Sequence, residues 1–135
     1  MTAKEYLSQA WKLEREITVR LSELEAMRSA LHGRGINYEG IGGQPADNTL
    51  EKAICRVVDR ENEINKEIAQ LVAKKNEIAA MISKIPDVRL RELLVRRYLC
   101  FEHWGKISAE MHLDLRWVYR LNDRALREVG KRLQN

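Results

Sequence analysis

Basic residues near the C-terminus are spaced as they would be along one side of a helix. They follow one another at intervals of four, four, three and four: Arg116, Arg120, Arg124, Arg127 and Lys131. At about 3.6 residues per turn, these intervals place the side chains in one stripe. A cationic stripe can bind the phosphates of a polyanion, and an arginine can also pair with a guanine edge through two hydrogen bonds. The spacing therefore predicts a helix that contacts nucleic acid.

The other side of the same segment is apolar, as expected of a helix that packs against a protein core. Its apolar residues are Val118, Leu121, Ala125, Leu126, Val129 and Leu133. Asp114 precedes the segment and can cap the N-terminus of the helix. The sequence thus predicts a helix that begins after Asp114, runs to about Leu133, and has one basic and one apolar side.

The position of each residue along this helix predicts what it contacts, because a helix in the major groove brings its first turns closest to the base edges. The candidates for base contact are Arg116, Trp117 and Arg120. The candidates for phosphate contact, including one lysine on the preceding helix, are Arg124, Arg127, Lys131 and Lys106. Two alternatives stay open. The stripe could be a solvated surface that nearby carboxylates partly neutralise, and Trp117 could pack in the core.

The positive charge of the protein is concentrated in the same region. The full sequence of 135 residues has a formal net charge of +4. Residues 87–135 contain eleven Lys or Arg and seven Asp or Glu, so they account for the whole surplus. Such a concentration is expected where one module meets a polyanion.

Two shorter amphipathic segments precede the basic helix. They cover residues 88–100 and 104–111, and His112-Leu113 separates the second from the basic helix. Two helices joined by a tight turn, the second of them rich in arginine, are typical of a helix-turn-helix. We therefore predict an all-α fold in which residues 87–135 form a small helix-turn-helix domain.

Residues 96–129 resemble region four of bacterial sigma factors. The positions that fit this motif are Arg97-Tyr98-Leu99, Trp104, Ile107, Val118 and Arg124-Ala125. The turn residue of the motif is usually glycine, and here it is His112. The whole chain is similar to a family of small phage-encoded proteins, described as late-transcription regulators with sigma-like domains. The resemblance implies a phage protein that binds double-stranded DNA and acts in transcription.

Residues 49–85 show the clearest periodicity in the chain. Their seam positions alternate at intervals of four and three: Leu50, Ile54, Val57, Glu61, Ile64, Ile68, Leu71, Lys75, Ile78, Ile82 and Ile85. This pattern predicts a coiled-coil helix, which is stable only if its apolar stripe is buried against a partner. Glu61 and Lys75 interrupt the stripe, and they either set the register or hold their charged ends at its edge.

The first helix is the nearest partner for that stripe. Residues 2–31 contain no glycine or proline, and their apolar positions are Leu7, Ala10, Leu13, Ile17, Leu21, Leu24, Met27 and Leu31. Residues 32–48 hold five glycines and a proline, which predicts a connection between two helices. We therefore predict an antiparallel coiled-coil hairpin over residues 1–86, ended by Pro86 and able to form a homodimer.

No residue pattern in the chain is typical of an enzyme, a cofactor site or a metal site. Cys55 and Cys100 lack ligand spacing, and we expect both to be reduced, partly buried thiols. The glycine-rich segment lacks the Gly-Lys-Ser/Thr of a phosphate-binding loop. No apolar run approaches the roughly 18 residues of a membrane span. We expect a protein without catalytic activity, cofactor or metal that acts away from membranes, in the cytoplasm of a bacterial host.

The expected function is transcription regulation in a phage, with the coiled coil used for dimerisation or for contact with host RNA polymerase. One alternative is a packaging protein similar to the small terminase subunit, which also joins a helix-turn-helix to an oligomerising coiled coil. Another alternative is an interaction scaffold whose helix-turn-helix does not bind DNA.

Overall fold

The computed structural model describes residues 1–33 and 48–135, and all regular structure in these two ranges is helical. The helices are α1 (Ala3–Gly33), α2 (Asn48–Ser83), α3 (Val88–Leu94), α4 (Trp104–Met111) and α5 (Leu115–Leu133). A π-helical segment, Val95–Leu99, continues α3. The predicted all-α class is therefore confirmed. Apart from its helical ends, the predicted glycine-rich connection at 32–48 lies outside the described residues.

The chain forms two compact units. One comprises Glu16–Leu71, and the other combines Met1–Arg15 with Val72–Asn135. The predicted domain boundary after residue 86 lies inside the second unit, and independent folding of residues 87–135 stays a prediction.

In the unit of residues 16–71, ion pairs join α1 to α2. Arg20 lies 2.7 Å from Glu67, and Arg28 lies 3.2 Å from Glu61. Residue numbers rise along α1 as they fall along α2, so the two segments run antiparallel. Exposed pairs of this kind stabilise a fold by only about 0–1 kcal/mol each. We infer that they select the register of the helices more than they add stability.

The seam of α2 lies where its periodicity predicts. Every seam position from Leu50 to Leu71 is buried or half-buried, and Ile64 is fully buried. Glu61 is half-buried and accepts a hydrogen bond from Arg28, which satisfies its charge at the edge of the stripe. Coiled-coil geometry itself stays a prediction.

The predicted stripe of α1 is wrong at one position. Leu21 is 52% exposed, whereas its neighbour Arg20 is half-buried and pairs with Glu67. Ile17 and Leu24 are both buried and are seven residues apart, so one position between them must also face α2. A helical repeat allows either residue 20, three after Ile17, or residue 21, four after it. The prediction chose Leu21 because it is apolar. The structure has Arg20 instead, since the methylene groups of its side chain can cover apolar surface while its guanidinium reaches the Glu67 carboxylate.

The second unit has one core, to which every helix contributes. Its fully or almost fully buried residues are Leu7, Ala10, Ile78, Ile82, Ile85, Leu90, Leu93, Leu94, Tyr98, Ile107, Val118, Leu121, Ala125 and Val129. The first turns of α1 and the last turns of α2 thus share a core with α3, α4 and α5. Lys75, at a predicted seam position of this unit, pairs with Glu14 and lies 5.8 Å from the ring centre of Phe101.

Side-chain caps fix where the helices begin. Thr2 and Glu5 form a reciprocal capping box at the start of α1, with both hydrogen bonds 3.2 Å long. The predicted cap at Asp87 is confirmed, since its carboxylate accepts from the backbone N–H groups of Arg89 and Leu90. No helix of the described residues is both long and apolar enough to cross a membrane.

Candidate nucleic-acid interface

The basic helix α5 begins at a side-chain cap and is attached to the core by one side. The Asp114 carboxylate accepts a hydrogen bond of 2.8 Å from the backbone N–H of Trp117, as predicted. The buried residues of α5 are Val118, Leu121, Ala125 and Val129. Their intervals of three and four follow the helical repeat, so they lie on one side of α5. Leu126 also packs against the core, whereas the basic residues lie on the opposite side.

All five residues of the stripe are exposed to solvent. Within residues 1–33 and 48–135, no carboxylate lies within ion-pair distance of its four arginines, Arg116, Arg120, Arg124 and Arg127. Lys131 lies 3.4 Å from Glu128 on the same helix. Lys106 is also exposed and lies 3.7 Å from Glu102. Four guanidinium groups are therefore available to an external anion.

Trp117 lies beside this stripe rather than in the core. It is 40% exposed, and its ring centre lies 5.9 Å from the guanidinium carbon of Arg120. A shallow open groove runs along the helix here, and its basic lining residues are Arg120, Arg124 and Arg127. Asp123 also lines the groove and reduces its positive charge. The groove therefore offers an indole ring together with three hydrogen-bonding guanidinium groups.

The turn between α4 and α5 depends on a residue in the left-handed conformation. His112 has φ 55° and ψ 43°, a region that glycine adopts at the lowest cost. The chain closes there through a 3.1 Å hydrogen bond from the Leu113 N–H to the Ser108 carbonyl oxygen. The Ser108 hydroxyl donates to the Leu113 carbonyl oxygen and reinforces the turn. His112 thus takes a conformation that favours glycine at the turn between α4 and α5.

Polar and aromatic contacts attach α5 to the segments before it. The Tyr98 hydroxyl donates to the side-chain oxygen of Asn122 at 3.0 Å, and burial raises the pKa of this tyrosine above its usual value. Trp104, the first residue of α4, packs edge-on against Tyr119 with their ring centres 5.4 Å apart. Arg97 covers the Trp104 ring at 4.4 Å. These contacts orient the basic side of α5 outward.

Sequence patterns did not single out Asn122 or Tyr119. Asn122 lies on the apolar side of α5, four residues after Val118, but a search for apolar residues passes over a polar one. Tyr119 lies between the apolar and basic sides. Tyr119 is exposed at the edge of the helix, next to Trp104. The sequence does show an aromatic residue, Tyr119, directly after the apolar Val118. This position alone does not predict that Tyr119 packs against Trp104.

The expectation for the cysteines is wrong in one respect. Cys55 and Cys100 are free thiols, but both are exposed rather than partly buried. Cys55 lies next to the seam residue Ile54, and Cys100 follows the π-helical segment, so neither belongs to a buried face. Among the described residues, no group of three His, Cys, Asp or Glu side chains could hold a metal ion.

Comparison of the chain with protein-family models found no match, and neither a curated protein nor a solved structure matched it. The resemblance to sigma region four and to phage regulators therefore stays a prediction.

Proposed function

We propose that the protein binds double-stranded DNA through α5 and regulates transcription. In this proposal, α4, the His112 turn and α5 act as a helix-turn-helix, and α5 enters the major groove. The observation that carries the proposal is the row of four exposed arginines with no carboxylate partner among the described residues. Guanidinium groups that are not paired within the protein can bind phosphates or base edges without first breaking an ion pair.

The residues of α5 divide into two roles. Arg116, Trp117 and Arg120 occupy the first turns, and in this proposal they face the bases. Arg124 and Arg127 lie one to three turns farther along and face the phosphate backbone, as do Lys131 and Lys106. Four to six phosphate contacts predict a slope of about −4 to −5 for the logarithm of the binding constant against the logarithm of salt concentration.

The unit of residues 16–71 supplies a second interaction in this proposal, either with another copy of the chain or with host RNA polymerase. Its surface retains exposed apolar side chains on both helices, including Val19, Leu21 and Val58. Two copies joined there would place two DNA-binding helices on one duplex. Two half-sites would then raise the affinity of a module that binds weakly alone.

The proposal is tested by selecting preferred duplexes from a random pool and measuring their affinity by fluorescence anisotropy. Arg120→Gln should weaken the preferred duplex by roughly 1–3 kcal/mol and relax its sequence preference. Arg124→Gln should weaken all duplexes equally and make the salt slope less negative by about 1. The double variant Arg56→Gln/Lys66→Gln removes two exposed cations from the other compact unit and should bind as the unchanged protein does.

Two results would redirect the proposal. If no duplex is retained at about 50 mM salt, where phosphate contacts are strong, the chain is an interaction scaffold rather than a DNA-binding protein. If mass measurement in solution gives a ring of eight or more copies, the DNA-binding role belongs to genome packaging. A monomer or dimer with sequence preference supports regulation.

A further inference from the structure

A cleft of about 470 Å³ lies on a different part of the second compact unit. Its walls come from the first turns of α1, from the segment between α3 and α4, and from α4 and α5. The cationic and aromatic residues that the proposal uses are Lys4, Trp11, Lys12, Arg97 and Trp104. The volume lies within the range of about 300–1,000 Å³ found for sites that bind small organic groups.

The cleft is positively charged. Three cationic side chains line it, whereas no carboxylate of the described residues does. Glu102 lies between two lining residues in sequence, but its carboxylate is 3.3 Å from Arg96 and 3.7 Å from Lys106, and neither of these residues lines the cleft. Because concave surfaces focus the field of like charges, the cleft favours an anion over a neutral or cationic ligand.

One aromatic side chain of the cleft, Trp11, is partly available to a ligand. Trp11 is 52% exposed, does not belong to the core and has Arg15 at 5.4 Å from its ring centre. Trp11 is not among the side chains that pack against the core of this unit, and it lines the cleft. Its flat surface can stack with another ring.

Arg97 is held in place before any ligand arrives. Its guanidinium stacks on Trp104 at 4.4 Å and donates a 3.0 Å hydrogen bond to the Glu102 carbonyl oxygen. A side chain fixed in this way loses little entropy when it binds an anion, because its orientation is already set. The N–H groups that remain can still donate, since a guanidinium has five donors.

We propose that this cleft binds single-stranded nucleic acid, with a base stacked on Trp11 and phosphates held by Lys4, Lys12 and Arg97. Alternation of cationic and aromatic side chains in a groove is the arrangement that binds unpaired strands without strong sequence preference. Bases of an intact duplex are stacked on each other and cannot reach a ring inside a cleft, so the ligand must be unpaired. An acidic peptide could neutralise the lysines, but the flat indole surface favours a nucleobase.

This proposal goes beyond duplex binding by α5 and does not depend on it. A DNA-binding protein with both surfaces could hold a duplex on α5 and an unpaired strand in the cleft. The two activities reside on different side chains, so variants can separate them.

The test measures binding of a labelled 12-nucleotide single strand and of the corresponding duplex to the full chain. Trp11→Ala should weaken single-strand binding by about 5- to 150-fold, the range expected for one stacked base, while Trp11→Phe retains most of it. Three phosphate contacts predict a salt slope of about −2 for the single strand, and Lys4→Gln/Lys12→Gln should reduce it to about −1. Lys52→Gln/Lys66→Gln makes the same charge change in the other unit and should leave the slope unchanged.

Three results would overturn the proposal. In the first, the protein does not bind the single strand at about 50 mM salt. In the second, the cleft variants and the control variant lose the same affinity. In the third, the protein binds an acidic peptide that contains phenylalanine but does not bind the strand. Arg120→Gln/Arg124→Gln distinguishes the two proposals, since it should weaken duplex binding and leave single-strand binding intact. Failure of either activity can thus be assigned to its own surface.

Discussion

Leu7 and Leu21 are the same residue type on the same helix, but the structure gives them opposite environments. Leu7 is 0% exposed in the core of the second unit, and Leu21 is 52% exposed. Replacing Leu7 with alanine removes buried apolar atoms and leaves a cavity. Such substitutions cost about 2–5 kcal/mol. Leu7 is fully buried among core residues from every helix of the unit, and we expect a loss within that range.

Urea denaturation followed by circular dichroism would measure this loss, with Leu21→Ala as the matched control. Because Leu21 is exposed, its substitution should change the free energy of unfolding by no more than about 0.5 kcal/mol. Tryptophan fluorescence provides a second probe of the same unit, and Trp11→Phe as the background for both variants leaves only Trp104 and Trp117, on α4 and α5, to report. If the start of α1 shares a core with these helices, Leu7→Ala should shift both signals to lower urea concentrations together.

Two outcomes would refute this reasoning. Equal destabilisation by Leu7→Ala and Leu21→Ala would mean that α1 contributes its predicted seam rather than the observed face. A loss below about 1 kcal/mol for Leu7→Ala, with the fluorescence transition unchanged, would mean that α3 to α5 hold their fold without the start of α1.

Two further predictions concern the contacts around α5. His112→Gly should raise the free energy of unfolding by about 0.5–1 kcal/mol in urea denaturation. Glycine avoids the steric cost of the left-handed conformation at φ 55°, and this gain exceeds the extra backbone entropy that glycine loses on folding. A destabilised variant would contradict this. Burial raises the pKa of Tyr98 in the folded protein, so its contribution to stability is present below the unfolded pKa of about 10 and is lost as the pH rises through the folded pKa. Tyr98→Phe should lower the free energy of unfolding by about 1–3 kcal/mol near neutral pH, because Asn122 loses its hydrogen-bond partner. The variant should also lose less stability than the unchanged protein above about pH 10. An unchanged pH profile would contradict the assignment of this pH dependence to Tyr98.

The two proposed binding surfaces share the same types of side chain, although they lie on different parts of the unit. Both combine arginine or lysine with an exposed indole, Trp117 on α5 and Trp11 on α1. The α5 surface could be predicted because its basic residues follow a helical repeat within one segment. The cleft could not, since its walls come from segments about ninety residues apart in the chain. Short-range spacing carries no information about such a pairing.

The α1 stripe shows where sequence patterns become ambiguous. Between Ile17 and Leu24, a helical repeat can pass through either residue 20 or residue 21. The prediction chose Leu21 because it is apolar. The structure places Arg20 there, since Glu67 on α2 lies 2.7 Å from it. That carboxylate is forty-seven residues away, so the choice depended on a contact between helices.

The sequence by itself determined the elements of this protein. Helical periodicity, Pro86 and the caps at Asp87 and Asp114 specify where helices begin and end, because these signals act through hydrogen bonds and backbone dihedrals within a few residues. Spacing alone also separated the basic and apolar sides of α5. Tertiary structure decided which helix ends share a core and which side chains line the cleft. Those outcomes depend on packing between residues distant in the chain, where burial of apolar surface, rather than local propensity, selects the partner.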